Sequence, residues 1–155
     1  MQNLIMQLHK RLLKSGKTLG TAESCTAGIL SSLLTQFSGS SKYFILGLAT
    51  YSNQAKEDIL GIPASTIRKK GAVSREIALL MAQNVRKLAN ADFGISITGI
   101  AGPTGGTPQK PVGTVFIALS SKNKNACKKF IFKGNRNAVR KQASLKALQL
   151  LKTFL

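Results

Sequence analysis

The sequence is short of the side chains that most often carry proton and metal chemistry. Its 155 residues hold one histidine, His9, and five acids, Glu23, Glu57, Asp58, Glu76 and Asp92. A zinc site takes three or four Cys, His or carboxylate ligands at suitable spacing. Cys25 and Cys127 stand far apart, and no group of that kind is present, so no metal is expected. A serine–histidine–aspartate triad would have to use His9, which sits beside Lys10 and Arg11 and reads as solvent-facing. Two isolated cysteines read as reduced thiols in a cytoplasmic protein rather than as a disulfide scaffold. Tryptophan is absent and aromatics make up 6%. That is little for a surface that stacks single-stranded bases. No apolar run approaches the ~20 residues of a membrane helix, and residues 1–16 lack the continuous apolar stretch of a signal peptide, so no membrane association is expected. Proton transfer is left to Lys, Tyr, Ser, Cys or one of the five acids.

The charge is lopsided: 23 basic residues against those five acids, a formal net charge of +18. Such an excess suits an anionic partner, whether nucleic acid, a membrane surface or a small anionic substrate. The basic residues read as scattered along the chain, so nucleic acid is possible but not favoured. The length fits a single domain over 1–155, and a hydrophobic content of 43% supports one sizeable core.

Leu4, Ile5, Leu8 and Leu12 recur at helical spacing before Gly16. A short β-compatible stretch covers residues 17–22, followed by a helix over 27–36. Residues 43–51 form an apolar run expected as a buried strand. Short helices are expected over 53–60 and from Pro63 to Gly71. Ser74 is placed to cap a long helix carrying Ile77, Leu80, Met81, Val85 and Leu88. Strands are expected over 93–98, 112–119 and 127–132, and Asn135 opens a last helix. Helices alternating with strands predict an α/β fold: a three-layer α/β/α sandwich around a mixed, mostly parallel sheet.

Three segments are built for chemistry. Thr21-Ala22-Glu23-Ser24-Cys25-Thr26-Ala27-Gly28 joins a strand to a helix, where free amides attract anions. Ser24 and Thr26 serve equally well as helix caps. Cys25 is either a rival nucleophile or a small buried hydrophobe. Tyr51-Ser52-Asn53-Gln54-Ala55-Lys56 follows a strand, where α/β sheets place their sites, and a desolvated lysine there acts as a base. The loop from Gly99 to Gly106 allows backbone to approach a ligand but matches neither a Walker nor a dinucleotide-binding pattern. Arg136 and Arg140, four apart on the last helix, share a face able to hold a phosphate.

Together these segments resemble the CinA carboxy-terminal-domain family of nicotinamide-nucleotide amidohydrolases. The likeness rests on T-A-E-S-C-T-A-G at 21–28, T-Y-S-N-Q-A-K at 50–56, L-G-I-P at 60–63 and G-A-V-S at 71–74. It continues through I-T-G-I-A-G-P-T-G-G at 97–106 and K-P-V-G-T-V-F at 110–116. The resemblance implies hydrolysis of the carboxamide of nicotinamide mononucleotide to the nicotinate nucleotide and ammonia, without a cofactor or metal, by a protein that is often a homodimer. By matching position, Ser24 is the nucleophile, Lys56 its base and Tyr51 an assistant. Thr26, Gly28, Asn53, Gly102 and Gly105 would line the substrate pocket, with Arg136 and Arg140 for the phosphate. Ala27, Leu46, Asn135 and Thr107-Pro108-Gln109 depart from the family pattern. The alternatives are a different small amide as substrate, or a basic nucleic-acid-binding module without turnover.

Overall fold

The computed structural model describes residues 2–155. In chain order it has α1 (Gln2–Ser15), β1 (Leu19–Glu23), α2 (Ile29–Leu34), β2 (Phe44–Ala49), α3 (Asn53–Asp58) and α4 (Ala64–Lys70). There follow α5 (Arg75–Leu88), β3 (Phe93–Gly99), β4 (Thr114–Ser120), β5 (Asn125–Ile131) and α6 (Arg136–Lys152). The five strands form one sheet in the order β2-β1-β3-β4-β5. β1 runs parallel to both β2 and β3, and β4 runs antiparallel to β3 and β5. β4 is thus the one reversed strand, and the expected mixed α/β sheet is what forms.

Period-two alternation in β3 divides the core. Phe93, Ile95 and Ile97 enter the larger apolar cluster with Leu8 and Leu12 of α1, Leu30 of α2, and Val139 and Ala147 of α6. The other face presents small residues to α5. A Cβ at Gly94 would run into the Ala82 carbonyl, and Ser96 Oγ donates to the Ala78 carbonyl. α5 therefore lies almost on the strand. Beside it, Ala22, Ile62, Ile67, Ile77, Met81 and Val85 fill a second cluster.

Four local expectations change. The helix read over 27–36 is shorter, because Ala27 and Gly28 take positive φ of 46° and 97°, which no α-helix accommodates. Residues 24–28 are instead a turn. The apolar run at 43–51 is an edge strand rather than a buried one, with alternate residues exposed. β4 and β5 are shifted to 114–120 and 125–131, and the intervening turn is closed by Ser121 N–H donating to the Lys124 carbonyl at 2.8 Å. His9 is buried and does not face solvent. The Tyr43 hydroxyl donates to the Leu34 carbonyl at 2.6 Å, so its oxygen accepts from His9 Nδ1 at 3.0 Å. That chain ties α1, α2 and the entry to β2 together.

Candidate active site

The parallel strands β1, β2 and β3 end side by side, and a cleft of about 280 Å³ opens at their carboxyl ends. Ser24 directly follows β1. Its N–H donates to the Ile97 carbonyl at 2.9 Å, extending the ladder by one residue and holding the hydroxyl at the cleft floor. The chain leaving β2 turns into α3, whose start is capped by Ser52 Oγ accepting from Ala55 N–H at 3.0 Å. This capped turn aims Lys56 inward, and Lys56 is 1% exposed.

Lys56 Nζ donates to Ser24 Oγ at 3.2 Å, across 32 residues of sequence. It also contacts the carbonyls of Thr50 at 2.9 Å, Tyr51 at 3.2 Å and Ser52 at 3.3 Å. Among the described residues no carboxylate pairs with it. Burial lowers the Lys56 pKa from the ordinary lysine value. The carbonyls stabilise the ammonium once it forms, so the group is suited to gain and return a proton. Cys25 behaves oppositely: burial pushes its thiol up to about 11, which leaves it neutral.

The turn carrying Ser24 is clamped from two sides. Glu23 is fully buried, and its carboxylate accepts from the N–H groups of Gly28 (3.1 Å), Leu30 (3.0 Å) and Ser31 (2.8 Å) and from Ser31 Oγ (2.7 Å). The anion that the start of α2 attracts is thus the protein's own side chain, so those amides are not open to a substrate. On the other side Arg140 donates to the carbonyls of Cys25 at 3.0 Å and Thr26 at 2.9 Å. Among the described residues the amides of Cys25 and Thr26 meet no acceptor.

Of the residues named from sequence, Ser24, Lys56, Tyr51, Asn53 and Arg136 line the cleft. Arg136 bridges its mouth, donating to the Tyr51 hydroxyl at 2.7 Å and the Gly102 carbonyl at 2.8 Å. Thr26, Gly28, Gly102, Gly105 and Arg140 are not on the wall. Thr26 is buried behind it, Gly28 serves Glu23, Gly102 anchors Arg136, Gly105 is exposed, and Arg140 is committed to the turn. The two arginines expected to share a phosphate therefore divide their work. Sequence reasoning missed Glu23, Thr98, Ala72 and Val73. Thr98 Oγ1 donates to the Ala72 carbonyl at 2.8 Å, fixing the opposite wall. The signal for these four lies in the motifs at 21–28, 71–74 and 97–106, where spacing alone does not separate the task of one residue from that of its neighbour.

The CinA C-terminal domain family model matches residues 1–155. The chain belongs to the CinA C-terminal domain family. A CinA-like protein of Syntrophus aciditrophicus is 50% identical over 139 residues, covering 89% of this chain and 33% of that protein. The chain spans only 35% and 37% of the length of two further curated relatives that it matches. Among solved structures, a competence-damaged protein (CinA) superfamily protein from Escherichia coli aligns with TM-score 0.94 and 37% identity, over 99% of this chain and 89% of that one. Competence damage-inducible protein A from Klebsiella pneumoniae aligns with TM-score 0.93 and 32% identity, over 97% and 94%. These CinA structures share the α/β fold of the chain.

Proposed function

We propose that the chain hydrolyses the carboxamide of nicotinamide mononucleotide, releasing ammonia and the corresponding nicotinate nucleotide. The observation that supports this most is the contact of 3.2 Å between Lys56 Nζ and Ser24 Oγ, buried and free of any carboxylate partner among the described residues. A serine–lysine pair needs neither histidine nor metal. In this reading neutral Lys56 takes the Ser24 hydroxyl proton while Oγ attacks the carboxamide carbon. The amide of Cys25, which lines the cleft and meets no acceptor among the described residues, receives the developing oxyanion, an effect of ~3 kcal/mol per donor in other hydrolases. This replaces the expected role for the start of α2, whose donors Glu23 occupies. The tetrahedral adduct collapses by breaking the C–N bond, and the leaving amine takes the proton from the Lys56 ammonium. Water, deprotonated by Lys56, then attacks the serine ester, and Ser24 regains its proton as the carboxylic acid leaves.

Arg136 at the cleft mouth is the cation for the substrate phosphate, with Tyr51 orienting it. Arg140 holds the turn rather than the substrate. A homodimer belongs to the same reading: β2 is an uncharged edge strand, a ready template for a second chain. Light scattering behind size exclusion tests it. The central test is ammonia release from nicotinamide mononucleotide beside the riboside. Ser24→Ala is expected to abolish release and Cys25→Ala to retain most of it. The reverse pattern would identify a thiol enzyme, and release from neither compound would end the proposal.

A nucleic-acid-binding module is the second reading. One observation favours it: no acid follows Asp92, so every charged residue of β5 and α6 is a base. Binding with a steep salt dependence and no ammonia release would decide for it.

A further inference from the structure

A second hollow, of about 390 Å³, opens at the opposite end of the sheet from the Ser24 cleft. Its wall gathers Lys17 before β1, Arg86 and Asn90 around the end of α5, Asp92 before β3, and Lys122 and Asn123 in the turn between β4 and β5. These side chains come from three separate stretches of sequence. Three are cations and one is an acid, and the acid is already engaged. Asp92 accepts from Lys17 Nζ at 2.8 Å, Thr18 N–H at 2.9 Å and Thr18 Oγ1 at 3.2 Å. Arg86 and Lys122 have no carboxylate partner among the described residues.

Arg86 carries the second observation. Its Nε is buried and has no hydrogen-bond partner. The close approach of α5 at Gly94 presses the base of this side chain against β3. A guanidinium with part of its water removed and no counter-charge creates a local positive field that an anion relieves.

We propose that this hollow is a second anion site, which takes the phosphate of a small phosphorylated molecule of nucleotide size. Arg86 and Lys122 hold the phosphate. Asn90 and Asn123 offer amide donors and acceptors to the rest of the ligand. The volume lies within the range of small-molecule sites. The site is independent of the amidase reading, because it shares no residue with the Ser24 cleft.

The test uses the full chain with AMP, adenosine and inorganic phosphate as probes, followed by calorimetry and by backbone amide NMR. Saturable AMP binding is expected, with amide shifts at Asn90 and Asn123 and no binding of adenosine. Lys122→Ala, in an exposed turn where folding is not at stake, and Arg86→Gln should each weaken AMP about tenfold. Arg136→Ala, which alters the other cleft, should leave this event unchanged. Inorganic phosphate bound as tightly as AMP supports the anion site and overturns the nucleotide-sized ligand. The whole proposal is overturned by absence of saturable AMP binding in the millimolar range. It is equally overturned by shifts confined to the Ser24 cleft, or by AMP binding that Arg136→Ala removes and Lys122→Ala does not.

Discussion

Replacing Glu23 with glutamine changes one oxygen to an amide nitrogen in a fully buried position where four donors converge. A carboxylate accepts on both oxygens; a glutamine accepts on one and donates from the other. Gly28 and Leu30 use one carboxylate oxygen, and Ser31 N–H and Oγ use the other. Whichever way the amide turns, at least one backbone N–H faces another donor, and the bonds that survive lose their ionic character. Hydrogen bonds to a charged group contribute about 1.5–3 kcal/mol each, so losing the equivalent of two costs about 3–6 kcal/mol. For a domain of this size each kcal/mol moves Tm by about 2–4 °C, giving an expected fall of about 6–24 °C. Calorimetric melting at neutral pH measures it, with Glu76→Gln as the comparison. Glu76 pairs with Lys70 at 3.1 Å at the surface, and such exposed pairs contribute little. A Glu23→Gln protein melting within about 2 °C of the parent would refute the argument that this carboxylate holds the Ser24 turn.

Lys56→Met should lower ammonia release by about 10²–10⁴-fold, the usual contribution of a general base; an unchanged rate would remove Lys56 from the mechanism. Its lowered pKa also has a sign in stability. Between that value and the ordinary lysine value of 10.5 the unfolded chain binds more protons, so unfolding free energy rises with pH there, by at most about 1.4 kcal/mol per pH unit. Below the lowered value the contribution is level. Denaturation followed across alkaline pH should show the rise in the parent and lose it in Lys56→Met. Gly94→Ala should destabilise by about 1–3 kcal/mol, because the added methyl meets the Ala82 carbonyl and α5 must retreat; an urea midpoint equal to that of the parent would contradict the packing described.

The sequence alone determined the fold class, since helical and two-residue periodicities alternate and each period buries one stripe or one face. It also put Ser24 and Lys56 forward, through the resemblance of the motifs at 21–28 and 50–56 to the CinA carboxy-terminal-domain family, and a chain with one histidine and five acids agrees with such a pair. Periodicity reports which side of an element is apolar and says nothing of what lies against it. That is why His9 read as solvent-facing beside Lys10 and Arg11, whereas packing pairs it with Tyr43. Only the tertiary structure decided that Glu23 fills the amides once expected for a ligand, and that Arg140 grips the turn while Arg136 faces the cleft. It alone placed Lys56 Nζ against Ser24 Oγ. Those outcomes depend on distances between residues far apart in the chain, and such distances are set by how helices and strands settle on one another.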